Sequence, residues 1–167
     1  MTDTDRPRVW GIHAKEEPYI LVEDSVIAIT WRSQFDFDRA LPSGMTREEK
    51  VRRFMKRTHK SKLSASLQCR ILADCERVKK GDYVAFHDCK WMSEYIFWGR
   101  VTGSRWMFAP KDHYEHQRKV KWLGVIKREN LLWGDIINHI ASRKAFGEID
   151  PAHARLLLDA EKDALPL

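Results

Sequence analysis

Strand-type sequence at both ends of the chain brackets one helical block near its middle, and this order constrains the fold more than any other feature. The segments Arg8–Ala14 (RVWGIHA) and Ser25–Trp31 (SVIAITW) read as strands, the second apolar and β-branched enough to be buried on both faces. Between them KEEPYILVED has room for a short helix starting near Pro18, and Ser33–Met45 reads as a loop broken by Phe35 and Phe37. After Gly81 the strand pattern returns: DYVAFHD, a turn around CKWMSE, then YIFWGRVTG, SRWMF and HQRKVKWLGVIKREN. In the last of these, alternation puts Val120, Trp122 and Ile126 on one side and Lys119, Lys121, Leu123, Val125 and Lys127 on the other.

The central block predicts two helices. Thr46 is a good N-cap, Glu48 and Glu49 fill the first turn, and Val51, Phe54, Met55 and Thr58 recur on one face. The opposite face carries Arg52, Arg53, Lys56, Arg57 and Lys60. A second helix, about Ser64 to Val78, buries Leu67, Ile71, Leu72, Cys75 and Val78 and ends at KKGD, where Gly81 suits a left-handed cap. LLWGDIINHIASRKAF then predicts a helix with an apolar face of Leu132, Ile136, Ile137 and Ile140, and Asp150-Pro151 caps a last one running to about Lys162. A chain of 167 residues, 43% apolar, suffices for one core and is too short for two ordinary domains. The expectation is α+β: a small mixed sheet curled into a partial barrel, with helices on its outside.

Charge narrows the partners. Met45–Lys80 holds twelve Lys or Arg against four acids, a local +8 that exceeds the +6 of the whole chain. Such a segment is either a solvated helix face or a surface that meets phosphates and releases their counterions. Between Glu148 and Leu167 five acids oppose two bases, which sets the tail apart from such a surface. No apolar run approaches the ~18 residues of a membrane span, and MTDTDRPR lacks a signal peptide's apolar stretch, so a soluble, cytoplasmic protein is expected. Three cysteines without a C-x-x-C pair indicate neither a disulfide framework nor a zinc ribbon.

VWGIHA, VIAITW, VKKGDYVAFHD, WGRVTG and HQRKVKWLGVIKREN occur in an order and spacing that resembles PUA-like domains of the EVE type. They are similar to N-terminal modules of Mrr-like and McrB-like modification-dependent restriction proteins, and more distantly to YTH domains. The resemblance spans about residues 8–132, leaving 1–7 as a disordered N-terminus and 133–167 as a C-terminal helical extension packed on the same domain. It implies a small β-barrel with flanking helices and a pocket for a flipped, modified base. It also implies a reader of DNA or RNA and not a catalyst, with no cofactor and no metal. In restriction proteins a nuclease or NTPase is normally appended, so an effector would be a separate subunit.

An unstacked base needs π faces and hydrogen bonds to its polar edge. Trp10, Trp31 and Trp98 are pocket candidates, each near a strand end beside a polar residue, although a given Trp is more often core. The resemblance implies that Trp31, Arg32 and Ser33 supply wall and edge contacts. His13, His87, Asp88, His113, Tyr114 and His116 are candidates for polar readout, since a neutral imidazole offers one donor and one acceptor. Arg52, Arg53, Lys56 and Arg57, with Arg118, Lys119 and Lys121, are the expected phosphate contacts. Trp91, Trp106 and Trp133 fit either role.

Rival readings exist. Asp88-Cys89-Lys90 has the D-x-K form of a Mg-dependent nuclease, with Asp82 or Asp74 as a second carboxylate. His113-x-x-His116 is half a metal site that no carboxylate or cysteine at familiar spacing completes. Leu156, Leu157 and Leu158 cannot all face one core, which leaves a docking surface for a partner or a second copy if the chain is an adaptor of a phage or defence system.

Overall fold

The computed structural model describes residues 7–14, 22–29, 36, 39, 41–42, 44–58, 61–88, 94–109, 115–127 and 146–167, without the side chains of His13, Ala14, His87 and Asp88. Seven strands form one curled mixed sheet: β1 (Val9–Ala14), β2 (Val26–Ile29), β3 (Tyr83–Asp88), β4 (Tyr95–Val101), β5 (Met107–Phe108), β6 (His116–Lys127) and β7 (Phe146–Glu148). Their order is β2-β6-β4-β3-β1-β7, with β5 also on β6. Only β1 and β3 pair in parallel; the other neighbours are antiparallel. The long β6 serves three partners, β2 at 116–119, β5 at 116–117 and β4 at 120–127.

Helices cover both faces. On one side α1 (Arg47–Thr58) and α2 (Lys62–Arg77) bury Val51, Phe54, Ala65, Cys69, Ile71, Leu72 and Cys75 against Trp10, Ile12, Val84, Phe86, Phe97, Val120 and Phe146. On the other, α3 (Pro151–Ala160) packs Ala154, Leu157 and Ala160 against Val9, Ala85, Ile96, Trp98 and Ile126. The strands obey period two: Val84 and Phe86 face α1 and α2, while Tyr83 and Ala85 face α3.

Local chemistry sets the ends of the helices. Thr46 and Glu49 form a reciprocal capping box: Glu49 N donates to Thr46 Oγ1 at 3.3 Å, and Thr46 N donates to Glu49 Oε2 at 2.8 Å. The Thr46 backbone N–H and, at 2.9 Å, its hydroxyl both donate to Glu49 Oε2 and lower the Glu49 carboxyl's pKa. Ser61 Oγ caps α2, accepting from Ser64 N, and Asp150 caps α3 ahead of Pro151. Gly81 does adopt φ +97°, but α2 has already ended at Val78, and the glycine instead turns the chain into β3.

Several expectations are corrected. Leu67 is 37% exposed, because small residues one helical turn apart, Ala65 and Cys69, take the inward stripe of α2. Only Met107 and Phe108 of SRWMF pair as a strand. Phe146 belongs to β7, which pairs with β1, so the sheet continues past residue 132.

Simple alternation fails along β6. A bulge opposite Trp98 and Gly99 leaves Leu123 unpaired, since Trp98 pairs with Gly124 and Gly99 with Trp122. Beyond it the faces exchange: Val125 joins Trp122 in the main core, and Ile126 joins Trp98 under α3. The glycines make the crossing possible. A Cβ on Gly99 would lie 2.7 Å from Trp122 and Val120, and one on Gly124 would lie 2.3 Å from the Leu165 carbonyl oxygen. That approach lets Leu165 exchange two backbone hydrogen bonds with Val125, both at 2.8 Å. The helices expected near Pro18 and over 131–145, and residues 1–6 of the N-terminus expected to be disordered over 1–7, lie outside the described residues.

Candidate functional site

Between the α1–α2 pair and the β2, β5 and β6 corner lies an open cavity. Its aromatic wall is Trp106, Phe108 and His116, its apolar floor includes Ile29 and Leu72, and Asp36, Lys50 and Glu76 supply polar groups. About 50 Å³ of it is open to the centres of water molecules, room for a few waters.

Each wall residue is held by a second layer. Trp106 Nε1 donates to the Cys75 carbonyl at 3.0 Å, and its ring meets Phe146 edge-on at 5.9 Å. The Arg118 guanidinium lies 6.0 Å from the Trp106 centroid and donates to the carbonyls of Gly103 and Ser104, both at 3.2 Å. Phe108 and His116 are cross-strand partners with ring centroids 5.0 Å apart. On the helix side, Lys50 Nζ bonds Glu76 Oε1 at 2.8 Å. The Cys75 thiol in the wall is pushed well up by burial, which keeps it protonated and a poor nucleophile.

Asp82 is a buried anchor that sequence reasoning weighed only as a metal carboxylate. Its carboxylate accepts from Trp10 Nε1 at 2.8 Å, Lys79 N at 2.8 Å and Arg8 N at 3.2 Å. Trp10 in turn stacks on Phe146 at 5.5 Å, and Phe146 supports Trp106. Asp82, Trp10, Phe146 and Trp106 thus form one continuous buttress behind the cavity.

The expected site residues separate into groups. Trp10 and Trp98 are both fully buried and lie on opposite faces of the sheet, so they cannot wall one pocket; period-two alternation on β1 and β4 sends them apart. Arg118 is 3% exposed and committed to carbonyls, a support for Trp106 and not a phosphate contact; burial lowers its pKa. Arg52, Arg53, Lys56, Arg57, Lys119 and Lys121 are exposed. His13 and His87 are register partners near the carboxyl ends of the parallel strands β1 and β3, where Ala14 pairs with Asp88. Trp31, Arg32, Ser33, Lys90, His113 and Tyr114 lie outside the described residues. Their chain neighbours Ile29 and His116 line the cavity. Trp106, Phe108, Lys50 and Glu76 were missed as a group; the signal available was the Trp-x-Phe spacing, which puts both rings on one side of an extended segment.

Among the described residues, no group of three or more His, Cys, Asp or Glu is placed to hold a metal ion. No helix among them is long and apolar enough to cross a membrane. Leu157 is buried while Leu156 is 39% exposed, so the three leucines of α3 do diverge.

The curled sheet with helices on both faces is a small PUA-like half-barrel. The chain belongs to the family described as Domain of unknown function (DUF8426), whose model matches residues 14–146. A similar solved structure is the YTH domain of the Zygosaccharomyces rouxii MRB1 protein in complex with N6-methyladenosine RNA. The two share 13% identity and a TM-score of 0.50, over 98% of this chain and 92% of that one. No curated protein matches the chain.

Proposed function

We propose that this chain is a non-catalytic reader of modified bases in nucleic acid, an EVE-type relative of the YTH fold that works with a separate effector subunit. A flipped base would enter the cavity walled by Trp106, Phe108 and His116, and the basic face of α1 would run along the sugar-phosphate backbone. The observation that carries the reading is that one helix serves both: Lys50 of α1 lines the cavity, and Arg53 and Arg57 continue its stripe at i+3 and i+7, both exposed. The fold likeness to a YTH domain solved with N6-methyladenosine RNA agrees with it. Phosphate contacts would set affinity and the cavity would set preference.

The test is a titration of RNA and DNA oligonucleotides, single-stranded and duplex, unmodified or carrying N6-methyladenine, 5-methylcytosine or 5-hydroxymethylcytosine, at two salt concentrations. Salt-dependent binding with preference for one modified base is expected. Stacking is worth roughly 1–3 kcal/mol per base, so Phe108→Ala should cut that preference by about tenfold while leaving the unmodified affinity nearly unchanged. Equal affinity for every base at every salt, or an unaltered preference in Phe108→Ala, would sink the cavity assignment.

A further inference from the structure

The sheet carries a second cationic surface that the cavity does not use. Before the bulge, His116, Arg118, Val120 and Trp122 of β6 point toward the α1 and α2 side, so Lys119 and Lys121 point out of the other face. Arg100 of β4 shares that face with Trp98 and is the direct cross-strand partner of Lys121. Like charges in such register repel, and both side chains are exposed. Arg100 is nevertheless held in place: its guanidinium lies 5.6 Å from the Tyr83 centroid, and its Nε donates to the Gly81 carbonyl at 3.3 Å. Tyr83 itself stacks on Trp98 at 4.9 Å, so the cation rests on a fixed aromatic base.

Lys79 and Lys80 border the same edge, since Gly81 N donates to the Val101 carbonyl at 2.8 Å. Arg100, Lys121, Lys79 and Lys80 make no ion pair among the described residues. Lys119 Nζ reaches the Asp24 carbonyl at 3.5 Å, and Glu23 and Asp24 are the acids nearest in that register.

We propose that Arg100, Lys119 and Lys121, with Lys79 and Lys80, form a second nucleic-acid surface that holds a sugar-phosphate backbone on the sheet face opposite α1. Side chains two apart on a strand stand about 6.6–6.8 Å apart, close to the spacing of successive phosphates along one strand, which suits Lys119 and Lys121 to neighbouring phosphates. The proposal rests on the nucleic-acid part of the reading above and is independent of base recognition. A repulsive register pair with no ion-pair partner among the described residues fits a surface completed by a polyanion.

The experiment uses the full chain, a labelled unmodified single-stranded 20-mer, and fluorescence anisotropy across a salt series. In Arg100→Gln/Lys121→Gln the affinity should fall several-fold, and the slope of log K against log salt should shrink by about 1.4, or roughly 0.7 per lost phosphate contact. The thermal midpoint should hold or rise, because the repulsion is relieved. An unchanged slope and affinity would overturn the proposal, as would polyglutamate displacing the 20-mer from the wild-type protein at equal charge, which would indicate an acidic protein partner. If base reading alone is wrong, the wild-type protein shows no modified-base preference while the slope still changes in the variant.

Discussion

Asp82→Ala should cost about 3–5 kcal/mol, the range for removing one partner of a buried charged hydrogen-bond network. Three donors converge on this carboxylate, and the residue is 4% exposed, so water cannot replace the lost acceptor without opening the sheet edge. Against a total stability of roughly 5–15 kcal/mol, the loss would leave the chain marginal at 37 °C. Urea titration followed by tryptophan fluorescence measures it directly, and the midpoint should fall at nearly constant slope. Asp82→Asn should be milder: its carbonyl oxygen keeps one or two of the three bonds, while its amide nitrogen turns a donor toward a donor. A loss below about 1 kcal/mol in Asp82→Ala would show that the three donors find other acceptors. Because Trp10 reaches Trp106 through Phe146, the same variant should also loosen the cavity wall before the chain unfolds.

The elements most legible in the sequence were those fixed by local chemistry. The Thr46 N-cap, the Asp150-Pro151 start of α3 and the amphipathic stripe of α1 follow from side chains within one helical turn of each other, and the structure has them where spacing placed them. The curled sheet with helices around it was legible too, because alternating strand segments at both ends of a chain leave few other ways to bury one core. What failed were features decided across the sheet. Nothing local to β6 announces that Leu123 is skipped, since the cause is the close crossing at Gly99 and Gly124 and the return of Leu165. One unpaired residue then moved Ile126 to the face under α3.

The candidate site was legible in kind more than in place. Trp10 was singled out as a strand-end tryptophan beside a histidine, but a ring that stacks on Phe146 and donates to a buried carboxylate is a support, one layer behind the surface. Arg118 misled for a related reason. Its neighbour Lys119 is exposed, and in a strand the residue next to one that faces outward faces inward, where Arg118 found carbonyls and the Trp106 ring. Trp106 was hard to choose because its hydrogen-bond partner is distant in sequence: Cys75 lies 31 residues before it.

Charge removal along α1 should give the largest loss of binding. In Arg52→Gln/Arg53→Gln/Lys56→Gln/Arg57→Gln, up to four phosphate contacts disappear, and the slope of log K against log salt should flatten by about 3, counting roughly 0.7–0.9 per contact. At moderate salt the affinity should drop at least tenfold, for modified and unmodified oligonucleotides alike, since phosphates carry no base identity. Stability offers the control. Arg52–Lys56 and Arg53–Arg57 are like-charged i,i+4 pairs, whereas Glu48–Arg52 and Glu49–Arg53 are favourable ones. Each is worth about 0.2–0.5 kcal/mol, so the opposing terms nearly cancel and the thermal midpoint should stay within a few degrees. A helix that serves only as a solvated cover over Val51 and Phe54 would show neither the flatter slope nor the loss of affinity. A binding defect without a folding defect is therefore the signature that separates a phosphate-facing helix from a merely soluble one. Anisotropy titrations at three salt concentrations, alongside a melting curve of the same preparation, decide between them.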